Sequence, residues 1–347
     1  MFGVASHMIK YLGSKRKLIP HILSAVEDVT PPGGSVVDLF SGTSRVGYAL
    51  KGAGYGVHSN DHNAFAHTLG LCYIAAHKEN ILSDAQKLIA EFNSLAGSPG
   101  YFTEKFCQES RYIQPQNGER IDAIRSAVEH KFLDPILKAV VIVSLMEAAD
   151  RVDSTVGLQM AYLKSWAKRS YKPLELRVPN LLPAVPGCEY KVTKMDAEVC
   201  SGVVSCDTLY LDPPYNQHSY LGNYHVWESL VLWDKPETYG IAKKRIDCQT
   251  RKSSFNFKRR ALDALREVLT KSEYNAAVLS YNNEGHIGLD DMLSLLSEFG
   301  EVERQEIGYR RHIGHKLGKH NPEGVRVSGN DGASTNKECL FTLRRSL

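Results

Sequence analysis

Apolar positions recur along the chain with two periods, one typical of strands and one of helices. The segment "GSVVDLFSGTSRVGYALKGAG" starts with a short apolar run, passes a turn at Gly42 and continues with helical spacing to Gly52. This order predicts a buried strand, a turn and a helix. "YGVHSND" predicts a second strand that ends on Asn60 and Asp61.

A long stretch without strand patterns follows. The spacing predicts a helix from Ala64 to about Leu95, and "GERIDAIRSAVEHKF" and "LDPILKAVVIVSLMEAADRV" predict two more. The proline-rich "KPLELRVPNLLPAVPG" predicts a linker. We therefore interpret residues 80–186 as a helical insert.

Strand patterns return after the linker and alternate with helical ones. "EYKVTKMDAE", "DTLYLDPPY" and "YNAAVLSYNNEG" predict strands, while "YHVWESLVLW", "RRALDALREVLTKSE" and "GLDDMLSLLSEFG" predict helices. "EVERQEIGYRR" and "KECLFTLRR" can pair as a final hairpin. The alternation predicts an α/β fold in two segments, 8–79 and 187–347. Its sheet should be mostly parallel, with a C-terminal antiparallel hairpin and helices on both faces.

Composition narrows the classes of protein. The 347 residues carry a net charge of only +3, so a surface for nucleic acid must be local. The seven cysteines include no CxxC pair, which predicts no metal site and a reducing, cytoplasmic location. The longest apolar run is too short to span a bilayer, so we expect no membrane partner.

Acids end four of the predicted strands, at Asp38, Asp61, Asp196 and Asp212. In an open α/β sheet, ligands bind beyond the carboxyl ends of the strands, so these carboxylates should share one rim. They suit ribose hydroxyls, an amino group or a cationic ligand, and they do not suit a phosphate. The sequence also has no GxxxxGKS and no GxGxxG motif, which argues against nucleotide phosphates.

The turn "DPPY", Asp212–Tyr215, has the most specific chemistry. Two successive prolines fix the backbone and remove two N–H donors, which leaves carbonyl acceptors beside the carboxylate. Tyr215 adds a flat face. This combination suits a planar ligand with an amino group, such as a nucleobase. The alternative is a rigid turn with a structural role only.

Three motifs together resemble one family. "YLGSKRKLIPHI" at Tyr11–Ile22, "DLFSGTSRVG" at Asp38–Gly47 and "DPPY" occur in the order found in the Dam-like group of S-adenosylmethionine-dependent DNA adenine-N6 methyltransferases. The resemblance covers most of the chain and is weakest through the insert. It implies a Rossmann-like methyltransferase sheet, with a target-recognition domain in the insert.

The resemblance also implies S-adenosylmethionine as cofactor and a set of residues that bind it. The N-terminal motif, the turn after the first strand and the acids after later strands supply Tyr11, Gly13, Ser14, Lys15, Asp38, Phe40, Gly42, Asp61 and Asp196. One departure concerns the turn, because Ser44 stands where the family usually has a second glycine.

The expected chemistry centres on Asp212, Pro213, Pro214 and Tyr215. Asp212 and the Pro213 carbonyl would accept hydrogen bonds from the N6 amino group of adenine. The base must leave the duplex to react, and Tyr215 would stack on it. Double-stranded DNA is therefore the expected partner, and a cognate restriction endonuclease is a candidate second partner.

Basic residues cluster where DNA contacts are expected. The strip "KKRIDCQTRKSSFNFKRR" supplies Lys243, Lys244, Arg245, Arg251, Lys252, Lys258, Arg259 and Arg260, and the insert supplies Lys168 and Arg169. A solvated loop is the alternative for the strip, and a solvent-facing helix is the alternative for the insert residues. A second basic stretch, Tyr309–His320, favours a DNA-facing loop over a metal site.

Other functions share this chemistry. A cytosine-N4 or RNA adenine methyltransferase would need the same acceptors for an amino group. A catalytically inactive, methyltransferase-like DNA-binding module is a further alternative, which the intact Asp212, Tyr215, Lys15 and Asp61 disfavour.

Overall fold

A computed structural model describes residues 8–310 and 335–346. Its strands are β1 Ser35–Asp38, β2 Gly56–Asn60, β3 Tyr190–Thr193, β4 Ser205–Leu211, β5 Thr238–Tyr239, β6 Lys244–Arg245, β7 Glu273–Asn282, β8 Gly300–Arg310 and β9 Thr335–Arg345. Its α-helices are α1 Ile19–Glu27, α2 Arg45–Gly52, α3 Ala64–Gly70, α4 Lys78–Ser94, α5 Pro115–His130, α6 Pro135–Arg151, α7 Ala197–Ser201, α8 Tyr220–Asn223, α9 His225–Leu232, α10 Ala261–Lys271 and α11 Leu289–Ser297.

The main sheet has seven strands in the order β3-β2-β1-β4-β7-β9-β8. The first five strands in this order are parallel, whereas β9 is antiparallel to β7 and to β8. The predicted α/β fold with a C-terminal antiparallel hairpin is therefore confirmed. The chain order reverses between β1 and β4, where the register pairs Asp38 with Tyr210. A crevice at such a reversal is the usual ligand site of this architecture.

Two apolar cores cover the two faces of the sheet. One joins sheet residues such as Val36 and Val57 to Phe92, Ile124 and Val140 of the helical segment. The other packs α10 and α11 against the opposite face, through residues that include Leu209, Leu265, Leu296 and Phe341. The helices of 80–186 thus share a core with the sheet. Within the described ranges, no helix combines the length and the apolar character that a membrane span requires.

The single helix predicted from Ala64 to about Leu95 is wrong. The chain forms α3, a π-helical turn at Leu71–Ala75, an extended step at Ala76 and His77, and then α4. The buried Lys51 ammonium donates to the carbonyls of Ile74 and Ala76, each at 2.8 Å. These carbonyls accept from Lys51 where the helix stops, so a tertiary contact overrides the local helical pattern.

The small antiparallel hairpin of β5 and β6 was not predicted. Its second strand, β6, lies in the basic strip, where charge rather than alternation dominates the sequence. Four residues, Gly240 to Lys243, connect its strands, and Gly240 and Lys243 both have positive φ.

Candidate active site

A cleft opens at the carboxyl ends of the parallel strands, beside the reversal between β1 and β4. All nine residues that the resemblance implies for the cofactor line it, as do Tyr210, Asp212, Pro214 and Tyr220. The structure therefore brings the four strand-end acids to one rim. The roles of these residues in binding remain predictions.

The turn after β1 forms the floor of the cleft. Gly42 has φ of +50°, and a Cβ added there would lie 3.2 Å from the Tyr11 hydroxyl oxygen. Asp61 accepts a hydrogen bond from the Gly42 amide at 3.0 Å and another from the Asn63 amide at 2.9 Å. Asp61 thus joins the turn after β1 to the turn after β2 and fixes the shape of the floor.

Tyr11 stands between two other tyrosines. Its ring stacks on Tyr220 at 5.1 Å between centroids and on Tyr224 at 4.6 Å, with interplanar angles of 6° and 13°. The Tyr224 hydroxyl accepts from the Leu12 amide at 2.5 Å, which fixes the N-terminal segment. Because both faces of the Tyr11 ring are covered, its edge and hydroxyl are the parts that remain for a ligand.

Asp38 is a buried acid whose negative charge has few nearby groups to stabilise it. Only 1% of its surface is exposed, and neither carboxylate oxygen accepts a hydrogen bond of standard geometry from a described residue. Burial raises the pKa of Asp38 to about 8, and Asp212 and Asp61 add to this rise. The backbone amides of Gly47 and Phe40 offset only part of it. A cationic group in the cleft would supply the missing partner.

Lys15 bridges two carboxylates at the wall of the cleft. Its ammonium lies 2.9 Å from Asp212 Oδ1 and 2.5 Å from Glu338 Oε1. Burial lowers the pKa of Lys15, but Asp212 and Glu338 outweigh burial and raise it well above its ordinary value. Burial raises the pKa of Asp212 to about 6 against the lowering effect of Lys15. Lys15 therefore stays charged and fixes the Asp212 side chain.

The rest of the "DPPY" turn is at most half-exposed. Pro213 is buried, Pro214 lines the cleft, and Tyr215 is half-buried against the second core. The Tyr215 carbonyl accepts from the His286 amide at 2.8 Å. The loop after β7 therefore helps to hold the turn.

Arg245 is not an exposed DNA contact, and that prediction is wrong. Only 3% of it is exposed, and it forms ion pairs with Asp234 at 2.7 Å and with Asp247 at 3.1 Å. These two acids raise the pKa of Arg245, although burial opposes them. The guanidinium faces away from solvent and holds the β5–β6 hairpin to the adjacent segments that carry Asp234 and Asp247.

Three more predicted DNA contacts already have acidic partners. Lys243 pairs with Glu109 at 2.6 Å, Arg251 with Glu228 at 3.0 Å, and Arg169 with Asp153 at 2.7 Å. Lys244 is half-buried. Five predicted contacts are exposed, namely Lys168, Lys252, Lys258, Arg259 and Arg260. Most of the stretch Tyr309–His320 lies outside the described residues.

Sequence reasoning missed three residues of the site, Glu338, Tyr210 and Tyr220. Glu338 begins the apolar part of β9. A single acid at the start of an otherwise apolar strand was the signal that could have indicated a site residue. Tyr210 lies two positions before Asp212 and therefore on the same face of β4, and its buried hydroxyl has no partner among the described residues. Nothing in the sequence marked Tyr220 as the residue that stacks on Tyr11.

Replacing Ser44 by glycine should stabilise the protein. Ser44 has φ of +56°, and its buried hydroxyl has no hydrogen-bond partner among the described residues. A left-handed conformation costs a residue with Cβ about 1 kcal/mol more than it costs glycine. We expect Ser44→Gly to raise the free energy of unfolding by up to about 1 kcal/mol in urea titrations.

Ser59 provides the control for this prediction. Its hydroxyl is likewise buried without a partner among the described residues, but it lies in the extended strand β2. Ser59→Gly should therefore lower the free energy of unfolding, because glycine weakens a strand interior. Equal effects at both positions would contradict an explanation based on backbone conformation.

The sheet with its antiparallel hairpin, the cleft at the strand reversal and the "DPPY" turn define a methyltransferase of the Rossmann-like class. Residues 11–282 match the model of the D12 class N6 adenine-specific DNA methyltransferases. The chain belongs to that family, which is a family of enzymes, and the predicted resemblance is confirmed.

Individual relatives support the same family. The chain is 29% identical to the Type II methyltransferase M.NlaIII of Neisseria lactamica over 324 residues, which cover 90% of this chain and 95% of that protein. It is 29% identical to the modification methylase StsI of Streptococcus sanguinis over 329 residues. It is also 29% identical to the Type II methyltransferase M.FokI of Planomicrobium okeanokoites over 359 residues. The matches cover 90% and 98% of this chain but only 50% and 53% of StsI and M.FokI, about half their length.

Proposed function

We propose that this protein transfers a methyl group from S-adenosylmethionine to the N6 amino group of an adenine flipped out of double-stranded DNA. The observation that carries the proposal is Asp212, a carboxylate that Lys15 fixes at 2.9 Å beside the cleft at the strand reversal. An acceptor held in this way suits an amino group that must be aligned for reaction.

The cleft has the chemistry that S-adenosylmethionine requires. The orphaned carboxylate of Asp38 would accept the ammonium group of the methionine part. Asp61 would hold the ribose hydroxyls with the acceptor capacity that its two backbone bonds leave. Asp196, with 67% of its side chain exposed, lies at the outer rim and would face the adenine part. When bound, the cofactor supplies an electrophilic methyl group on a sulfonium.

The residues of this chain would position the target base for reaction. The N6 nitrogen is a poor nucleophile because its lone pair is delocalised into the ring. Hydrogen bonds to Asp212 and the Pro213 carbonyl would favour a more pyramidal nitrogen and aim its lone pair into the cleft. Pro213 and Pro214 fix this turn, and Tyr215 would stack on the base. Positioning then supplies most of the rate enhancement.

Four of the exposed basic residues lie on a segment that packs against the site. Phe255 of this segment contacts Phe40 of the cleft edge to face, with 5.0 Å between centroids. The Asn256 side chain donates to the Asn216 carbonyl at 2.9 Å, one residue after the "DPPY" turn. Phosphates bound by Lys252, Lys258, Arg259 and Arg260 would therefore place a duplex beside Asp212.

The helical segment 80–186 is our proposal for the target-recognition domain. It includes exposed Lys168 together with Trp166 and Tyr171, a mixture of basic and aromatic side chains suited to a nucleic-acid surface. Residues 8–79 and 187–347 would form the catalytic domain. We further propose that the enzyme acts in the cytoplasm on nucleoid DNA, in a restriction–modification system with a cognate endonuclease or as an orphan enzyme.

Single-molecule sequencing of DNA from a host that expresses the protein tests the proposed function. We expect N6-methyladenine at one recurring sequence. N4-methylcytosine, or N6-methyladenine confined to the RNA of the same cells, would favour the corresponding alternative. DNA bound in vitro without modification of either nucleic acid would indicate an inactive binding module.

Neutralising the exposed basic residues should flatten the salt dependence of DNA binding. We expect the variant Lys258→Gln, Arg259→Gln and Arg260→Gln to lower the slope of log affinity against log salt by about 0.9 for each phosphate that the variant no longer binds. Fluorescence anisotropy with a labelled duplex measures the slope. Exposed Lys271, which pairs with Glu267 at the end of α10 and lies outside both proposed DNA surfaces, gives a control in Lys271→Gln, which should leave the slope unchanged. An unchanged slope in the triple variant would remove the segment from the interface.

A further inference from the structure

Glu338 is a buried acid that has no role in the methyl transfer proposed above. Only 2% of it is exposed, and it lies on β9, far along the chain from the other site residues. It contacts the Lys15 ammonium at 2.5 Å and accepts from the Ser280 hydroxyl at 2.8 Å. Through Lys15 it is connected to Asp212, because the same ammonium lies 2.9 Å from Asp212 Oδ1.

Asp212 and Glu338 compete for the same cation. Both carboxylates contact the Lys15 ammonium in an enclosed site. If Glu338 were neutral, Lys15 and Asp212 would form a one-to-one ion pair, and the ammonium would hold the Asp212 charge more strongly. With Glu338 present, the attraction of Lys15 is divided between two acids.

Other side chains near Asp212 are acids or phenols. Asp38, Tyr11, Tyr210 and Tyr220 each interact electrostatically with it. Lys15 is the cation of this set, and Glu338 is the residue that also contacts it. Glu338 is therefore placed to adjust how firmly Lys15 holds Asp212.

We propose that Glu338 is a positioning residue that acts through Lys15 to set the proton affinity of Asp212, and that Asp212 accepts the proton released by the methylated amino group. This inference rests on the proposed function and deepens it. The amino nitrogen forms the new N–C bond with its lone pair, while the C–S bond breaks and its electron pair stays on sulfur. The cationic nitrogen then gives one proton to an Asp212 oxygen, which later returns that proton to solvent.

The pKa of Asp212, which burial raises to about 6, suits this task. A carboxylate in that range is ionised at neutral pH, yet it accepts a proton more readily than an ordinary carboxylate does. Glu338 adds to the rise, and Lys15 opposes it. Removing the Glu338 charge should therefore lower the pKa of Asp212 and weaken it as a proton acceptor.

Glu338→Gln tests the inference, because glutamine keeps the size and an acceptor while it removes the charge. We expect kcat to fall about tenfold and the acid limb of its pH profile to move to lower pH. The KM for S-adenosylmethionine should change little. Single-turnover methylation of a duplex with tritiated donor gives the chemical step directly.

Two controls separate charge from structure. Ser280→Ala removes an uncharged partner of the Glu338 carboxylate and should leave the position of the acid limb unchanged. Glu303→Gln removes an acid of the same hairpin that is 68% exposed and should change neither kcat nor the profile. A Glu338→Gln profile that falls equally at every pH would overturn the inference and leave Glu338 a structural role.

The inference can fail separately from the proposed function. If the unchanged protein methylates no adenine, the function itself is wrong. If Glu338→Gln does not fold, as judged by thermal denaturation, Glu338→Asp decides. Aspartate keeps the negative charge but places its carboxylate farther from Lys15. We therefore expect the acid limb of Glu338→Asp to lie between that of the parent and the one expected for an uncharged residue 338. An acid limb identical to that of the parent, with kcat lowered, would overturn the inference.

Discussion

Replacing Asp212 by asparagine is expected to reduce methyl transfer by about a thousandfold or more while the protein still binds S-adenosylmethionine. Asparagine keeps the shape of the side chain but presents one N–H₂ donor where the target amino group needs an acceptor. It also removes the charge that Lys15 holds at 2.9 Å. Both losses act on the amino group rather than on the cofactor, so the effect should fall on kcat.

Two measurements check this expectation. Calorimetry should give a dissociation constant for S-adenosylmethionine within a few-fold of the parent value, and single-turnover assays should give the loss in rate. Asp263→Asn, an exposed acid in the first turn of α10, is the matched control and should retain activity. Parent-like turnover by Asp212→Asn would contradict the proposed mechanism.

Replacing Asp61 by alanine should weaken S-adenosylmethionine binding by about 10- to 100-fold. Asp61 fixes the cleft floor through the amides of Gly42 and Asn63, at 3.0 and 2.9 Å. The substitution therefore removes the proposed ribose acceptor and also releases the turn that approaches Tyr11. Calorimetric titration of the folded variant measures the loss.

Asp196 provides the comparison for Asp61. Its side chain is 67% exposed, and its Oδ1 lies 3.3 Å from His62 Nδ1. Exposed charges contribute little to binding, so we expect Asp196→Ala to weaken S-adenosylmethionine binding less than about threefold. If Asp196→Ala had the larger effect, the assignment of the two acids would have to be reversed.

Much of the fold could be predicted because the relevant patterns are local. The strand at Val36, the turn at Gly42 and the helix after it follow from apolar spacing and one glycine. The strand-end acids could be grouped because parallel strands place their carboxyl ends on one edge. The break in the helix at Ala76 could not be predicted, because the Lys51 contact that stops it is tertiary.

The site was predicted where its residues stand in motifs and was missed where they do not. Glu338 carries no motif, and its partner Lys15 lies 323 residues earlier. Arg245 was wrongly predicted as a DNA contact because its sequence neighbours are basic. Its acidic partners are Asp234, in the loop after α9, and Asp247, the one acid of the strip. A count of charges along a segment does not show which of them are already paired.

Because the site includes the bridge between Lys15 and Glu338, it can form only when folding is nearly complete. Lys15 follows the first residues of the chain, whereas Glu338 lies on the strand that is synthesised last among those of the sheet. Contacts of such separation form slowly, since a long loop must close before they can contribute. A nascent chain on the ribosome therefore carries the "DPPY" turn before it carries the acid that completes the triad. Competence for catalysis should appear only when β9 docks between β7 and β8.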